Sequence, residues 1–377
     1  MDDRIKLKLI NLKGYKSINK LGQDIPIGDL TVLLGANGAG KSNLVSFFTM
    51  LNYLTTGALQ RYIGESGSAN SLLYYGSKQT SRLEAKLVFE NEKDVDNYKF
   101  SLTHAAGDTL IFTEETIIWH NKTNPKPFTI TLDPGIKESG LFTHSKKPNN
   151  TTSRIIYNLL RSCQVFQFHD TSSNARLRNK GYIGDNRFLY SDAGNLAAFL
   201  YSIKNQKGGE QYYNRILRHI SQIMPQFGDF DLYPSTLNEN NIILNWKEKN
   251  SDYVFGPHQI SDGSLRFMAI ATLLLQPPKS LPSVIILDEP ELGLHPSAIS
   301  ALAGMAKAAS QKCQVILATQ SPRLVDEFAP ENIVIVERDL NENCSKFKTL
   351  DKDKLADWIE QYSMSELWEK NVIGGQP

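Results

Sequence analysis

The stretch Gly35-Ala-Asn-Gly-Ala-Gly-Lys41-Ser42 constrains this chain more than any other. It follows a short apolar run, Leu30 to Leu34, and precedes Leu44, Val45, Phe47, Phe48, Leu51 and Leu54, which recur at helical spacing. A buried strand, a glycine-rich loop and a helix in immediate succession match the GxxxxGK[ST] phosphate loop. The glycines let backbone N–H groups turn inward around phosphates, and the helix start adds its positive dipole end. Candidate binding residues are Gly35, Asn37, Gly38, Gly40, Lys41, Ser42 and Asn43. Lys41 is expected to reach the β and γ phosphates of a nucleotide, and the Ser42 hydroxyl to ligate Mg2+.

A second constellation lies far downstream. Val284-Ile-Ile-Leu-Asp288-Glu289 reads as an apolar strand ending in two carboxylates. Such a strand end meets the phosphate site in an open α/β sheet. Asp288 is expected in the Mg2+ shell, and Glu289 to orient or deprotonate the attacking water. Ile260-Ser-Asp-Gly-Ser264 starts a further helix, where Ser and Asp also serve as ordinary N-caps.

Elsewhere the texture alternates. Ile5 to Ile10 reads as a half-buried strand, and from Ser81 to Ile130 short β segments, including Leu110 to Thr113 and Thr116 to Trp119, suggest an antiparallel β lobe. Ser145 to Ser153 and the basic stretch Asp170 to Asp192 read as loops, the latter with Arg176, Arg178, Lys180 and Arg187. Helical stretches at Gly194 to Ile203 and Glu210 to Ile223 follow, then strands at Ile242 to Trp246 and Tyr253 to Phe255. From Ser261 helices alternate with buried strands, ending in a strand from Ile333 to Glu337. That alternation implies a parallel α/β sheet with helical crossovers. Three regions follow: 1–170 with the phosphate loop and β lobe, 171–256 as a helical and β insertion, and 257–377 with the downstream strand and its carboxylates. No sustained heptads appear, so no coiled-coil arm is expected.

Composition removes other classes of answer. With 41 Lys and Arg against 40 Asp and Glu, the net charge is +1, which excludes a globally basic nucleic-acid binder but leaves a local patch open. The apolar runs fall short of a membrane span, the opening residues do not resemble a signal peptide, and Cys163, Cys313 and Cys344 are too few and scattered for a disulfide framework. A cytoplasmic protein without a membrane partner is expected.

Taken together, the phosphate loop, Ser261-Asp262-Gly263-Ser264 and Asp288-Glu289 resemble the ATPase heads of the SMC and RecF class, closest to stand-alone bacterial AAA-annotated ATPases. The resemblance extends over most of the chain. Leu9 to Ser17 looks like the opening strand and turn, Pro290 to Pro296 the D-loop, Thr319-Gln320-Ser321 the switch, and Trp358 to Pro377 the closing segment. It implies a P-loop NTPase fold of ABC type, a mixed or parallel sheet flanked by helices, with an antiparallel β lobe and a small helical insertion. It also implies ATP sandwiched in a homodimer or higher even-numbered oligomer, with Ser261, Asp262 and Gly263 acting in trans. Lys16 is expected to touch nucleotide or the partner's signature, or to be a solvated turn lysine. In the Q-loop stretch Gln164 to Asp170, Gln167, His169 and Asp170 compete, Gln167 being counted among the nucleotide ligands. Arg266 is expected on phosphate or an acid. Gln320 replaces the usual switch histidine and cannot carry a proton, which implies hydrolysis that is slow or partner-dependent. The implied role is an ATP-driven switch in prokaryotic DNA metabolism or defence against phage, acting on DNA or RNA and on a separate effector such as a nuclease or toxin. Two alternatives are a protein-only regulatory subunit holding that effector inactive and an ABC transporter subunit. The transporter fits poorly, because 247 residues separate Lys41 from Asp288 (288 minus 41).

Overall fold

The computed structural model describes residues 4–124, 126–234 and 237–376. Residues 1–3, at the opening read above, and Pro377 lie outside the described residues. The chain starts with β1 (Lys6–Lys13) and β2 (Gln23–Pro26), an antiparallel pair, and continues into β3 (Leu30–Leu34). Helices α1 (Lys41–Thr55), α2 (Leu59–Glu65) and α3 (Ser68–Leu72) follow.

The β lobe adds β4 (Arg82–Glu90), β5 (Asp94–Ala105), β6 (Thr109–Asn121) and β7 (Phe128–Thr131), in the order β2-β1-β4-β5-β6-β7. Strict alternation places Leu83, Ala85, Leu87 and Phe89 of β4 inside. The sequence suggested two segments where β6 is one long strand. Its alternation changes parity because the pairing jumps from Ser101 with Glu114 to Leu102 with Phe112, so Thr113 is an extra residue. Leu110 and Phe112 face inward before this bulge, and Glu115 and Ile117 after it. The buried Glu115 carboxylate accepts from the Tyr98 hydroxyl at 2.6 Å, from the Ser139 hydroxyl and from the Gly140 N–H at 2.9 Å, which satisfies it.

Next come α4 (Leu141–Ser145), α5 (Thr151–Arg161) and β8 (Cys163–Phe166), with only residues 146–150 of the expected loop outside helices. After the short β9 (Gly181–Tyr182), α6 (Leu196–Asn205) and α7 (Glu210–Ile223) form the helical insertion. β10 (Phe227–Asp231), β12 (Asn245–Glu248) and β13 (Val254–Phe255) make a small sheet. The stretch read as one strand from Ile242 to Trp246 is split, because β11 (Asn241–Ile242) pairs with β9 while β12 pairs with β10.

The last part holds α8 (Asp262–Leu275), β14 (Val284–Asp288), α9 (Pro296–Ser310), β15 (Gln314–Thr319), α10 (Pro322–Val325), β16 (Ile333–Asp339), β17 (Cys344–Thr349), α11 (Lys352–Ile359) and α12 (Met364–Glu369). The main sheet runs β17-β16-β3-β15-β14-β8, parallel throughout except β17. It is therefore mixed, with an antiparallel edge the sequence did not announce. Strands β3, β14 and β15 are buried along their whole length, as in a sheet covered on both faces. Val32, Ile285, Leu287, Val315 and Leu317 enter the core with α6 to α9, while Leu33, Ile286, Ile316 and Ala318 enter the core with α1 and the β lobe. Among the described residues no helix is long and apolar enough to cross a membrane, and the longest have 15 residues.

Candidate functional site

The parallel strands β3, β15, β14 and β8 lie side by side, so their carboxyl ends open on one edge. At the end of β3 the chain turns through residues 35–40 into α1. Gly40 has φ 119°, a conformation L side chains rarely adopt, and a side chain there would collide with Ser345. Gly35 packs so closely on the Val336 carbonyl that a Cβ would not fit. Asn37 and Gly38 are exposed at the tip, Ser42 is exposed in the first turn of α1, and Asn43 donates to the Ser17 hydroxyl at 2.6 Å. The Ser345 hydroxyl on β17 braces the loop from behind, donating to the Ala39 carbonyl at 2.5 Å.

Lys41 is buried, with Nζ donating to the carbonyls of Gly35 at 2.6 Å and Ala36 at 3.0 Å. Burial lowers its pKa, while the charges of Glu289, Asp288 and Glu291 pull the other way. The lysine thus lies within electrostatic reach of three carboxylates from far along the sequence. Burial likewise raises the pKa of Asp288. One Asp288 oxygen accepts from Gln167 Nε2 at 3.1 Å, and the other, Oδ1, is buried without a hydrogen-bond partner. A buried, unpaired carboxylate oxygen is costly and suits a cation. With Ser42 on the adjoining helix, the residues present fit Mg2+.

Glu289 has φ 44°, unusual for a residue with a Cβ and a form of backbone strain found at functional sites. Its N–H donates to the Ala318 carbonyl at 2.8 Å, and its Oε1 accepts from Gln320 Nε2 at 3.1 Å. Gln320 thus stands beside Glu289. The sequence reading missed Glu291, buried and bonded to the Thr319 hydroxyl, with its second oxygen unpaired. Its signal was an acid two residues beyond the Asp288-Glu289 pair.

The Q-loop candidates separate. Gln167 reaches the Asp288 carboxylate, His169 Nε2 lies 2.9 Å from the Asp288 backbone oxygen, and Asp170 accepts from the Ser172 N–H in its own turn. Arg266 touches no acid or phosphate-loop residue among its described bonds. It donates instead to the backbone carbonyls of Phe168 at 3.1 Å, His169 at 2.9 Å and Leu292 at 2.9 Å, fastening the segment after β8 to the turn after β14. His295 caps α9 by accepting from the Ser297 N–H at 3.3 Å. Lys16 is half-buried: its Nζ donates to the Ser46 hydroxyl at 2.8 Å, and burial lowers its pKa. With Ser17, Asn43, Tyr75 and Arg338 it lines an open cleft of about 600 Å3 beside the phosphate loop.

The residues read as a signature lie at the start of α8. Ser261 caps α8, its hydroxyl accepting from the Ser264 N–H at 3.2 Å, and Gly263 lies against the Gly293 carbonyl of the D-loop. Asp262 pairs with Arg178 at 2.6 Å, and that hydrogen bond holds its pKa below the usual carboxylate value. Arg178 is itself buried and donates to the carbonyls of Thr171 at 2.7 Å, Ile260 at 3.1 Å and Pro257. Arg176 pairs with Asp192 at 3.1 Å. Of this basic loop, Arg178 is committed internally, while Arg176 makes an exposed pair. Arg178→Ala would remove its bonds to three carbonyls, of which Pro257 keeps the Ile260 N–H, and is expected to cost about 3 kcal/mol of stability, measured by urea unfolding; a loss below about 0.5 kcal/mol would contradict this role.

Two comparisons bear on the fold. The chain is similar to the SMC head domain of Pyrococcus furiosus, with an extended coiled coil and solved bound to the C-terminal domain of ScpA, at 16% identity and TM-score 0.55, over 95% of this chain and 99% of that one. It is also similar to an SMC head solved bound to the C-winged helix domain of ScpA, at 15% identity and TM-score 0.55, over 93% and 99%. No curated protein sequence matches. Residues 30–326, which hold the phosphate loop, the signature and both carboxylates, match the family described as "AAA domain, putative AbiEii toxin, Type IV TA system". On that match, over an SMC-head fold, this chain belongs to that family of AAA domains.

Proposed function

We propose that this protein is an ATPase that binds ATP with Mg2+ in the cytoplasm and works as a dimeric switch. The observation that carries the reading is the meeting of Lys41, Asp288, Glu289, Gln167 and Gln320 at the carboxyl ends of four neighbouring parallel strands. The phosphates lie over Gly35 to Asn43, cradled by backbone N–H groups, and Lys41 moves its ammonium from the loop carbonyls to the phosphates. The cleft beside Lys16 takes the nucleoside end. Asp288 and Ser42 hold Mg2+, which neutralises charge on the β and γ phosphates when bound. Glu289 holds the attacking water in line and accepts its proton, while Gln320 fixes the carboxylate by donating to it.

Two copies close head to tail, with Ser261, Asp262 and Gly263 at the start of α8 directed at the γ-phosphate held by the other copy. Losing that phosphate removes the contacts and opens the pair. A separate protein effector, a nuclease or toxin, reads this change. The family description names a toxin system, and the SMC heads of similar fold were solved with a protein partner. The burial of Arg178 withdraws one cation from the basic loop, which together with a net charge of +1 favours a protein over DNA or RNA as the main partner.

The reading is tested by light scattering with ATP and Mg2+, where the chain is expected to shift from monomer to dimer, alongside phosphate release. No nucleotide binding and no hydrolysis would sink it. Gln320→Ala should lower kcat by roughly tenfold with ATP affinity kept within about twofold, checked by phosphate release and equilibrium binding. Loss of affinity in place of rate would move Gln320 from water positioning to ground-state binding.

A further inference from the structure

We propose that the segment from Ser363 to Gly375 is a strap that holds the phosphate loop in its binding shape and ties it to the turn carrying Gln320, with Gly375 as its positioning residue. This rests on the nucleotide-site reading above and adds a part to it.

The strap has two anchors. At one end, α12 begins with Ser363 in a reciprocal capping box, its hydroxyl accepting from the Glu366 N–H while the Glu366 carboxylate accepts from the Ser363 N–H at 2.8 Å. Ser365 then donates through its N–H at 2.7 Å and its hydroxyl at 2.6 Å to the Asp326 carboxylate. Asp326 ends α10, the helix capped by Ser321 directly after Gln320. Met364, Leu367 and Trp368 are buried in the core that also holds Leu324 and Val325 of α10. At the other end, the Gly375 carbonyl accepts from the Ala36 N–H at 2.9 Å. A Cβ on Gly375 would lie 3.7 Å from the Gly35 Cα.

That approach demands glycine. Gly374 and Gly375 both have φ 82°, and a Cβ on Gly375 would lie 2.9 Å from the Ile335 side chain and 3.3 Å from Trp368 Nε1. Any side chain there lifts the strap from β16 and carries the carbonyl away from Ala36. The phosphate loop binds through several backbone N–H groups at once, so its affinity depends on the loop already holding its shape. The Ala36 amide sits between the strap and the carbonyls that hold Lys41, so the strap acts through the loop and touches no phosphate.

The test compares wild type, Gly375→Ala, Ser365→Ala and Lys41→Ala by hydrogen exchange of the peptide containing Ala36 and by ATP binding and turnover. Gly375→Ala is expected to speed exchange in that peptide while peptides from β14 keep their protection. It is also expected to weaken ATP binding by about tenfold, the loss of one backbone hydrogen bond and the order it imposes, with KM rising more than kcat falls. Ser365→Ala, a milder release at an exposed anchor, should shift both readouts in the same direction by less, and it stands in if Gly375→Ala does not fold. Unchanged exchange and unchanged affinity in the folded variants would overturn the strap. If Lys41→Ala binds ATP as wild type does, the nucleotide-site reading fails instead, and the exchange comparison still decides whether the strap orders the loop.

Discussion

Glu289→Gln is expected to reduce ATP hydrolysis by roughly a thousandfold, within the range general-base catalysis contributes, while ATP stays bound and the dimer accumulates. The physical reason is local. Glu289 sits at φ 44°, pinned by its N–H bond to Ala318 and by the amide of Gln320. A glutamine fits the same volume but cannot accept a proton from water. Bound nucleotide then persists, and light scattering with ATP and Mg2+ should report a long-lived dimer where wild type returns to monomer. A Glu289→Gln protein that releases phosphate at the wild-type rate would remove Glu289 from the reaction. Affinity purification of this variant with ATP is also the most direct way to recover the partner protein, because the trapped state holds the surface it reads.

Lys41→Ala should weaken ATP binding by about a hundredfold or more, since charge-assisted contacts to phosphate contribute roughly 1.5 to 3 kcal/mol each. The fold should survive the change. Burial already lowers the pKa of Lys41, so its charge is held at a cost that alanine removes, and its two hydrogen bonds go to carbonyls of the loop alone. Titration with a fluorescent ATP analogue, with unfolding followed in parallel without nucleotide, separates the two effects. Retained binding with a wild-type unfolding curve would contradict the placement of phosphate at this loop.

Much of this was legible in sequence because the chemistry is local there. Gly35 to Ser42 announced a strand, loop and helix, and the apolar run before Asp288 announced a buried strand with an acidic end. Other features depended on pairing that no single segment reveals. β17, with its short run of buried and exposed residues, forms only because β16 offers an edge, yet its Ser345 supports the phosphate loop. The bulge at Thr113 hid β6 by shifting its alternation. Arg178 read only as part of a basic loop because its four acceptors come from residues 171, 257, 260 and 262. Arg266 read as a phosphate or acid ligand because backbone carbonyls carry no side-chain signature.

The position of β3 sets when this site can exist at all. β3 is made early, yet its neighbours are β15 and β16, and its register with β16 joins residues 301 positions apart (333 minus 32). While the chain is emerging from a ribosome, the glycine loop is complete long before anything can hold it flat. Nucleotide capture therefore becomes a late event in synthesis, and a chain interrupted before β16 should carry the loop without the ability to use it. Contacts of such long range also form slowly, so bound ATP would mark copies that have finished folding from those still under way.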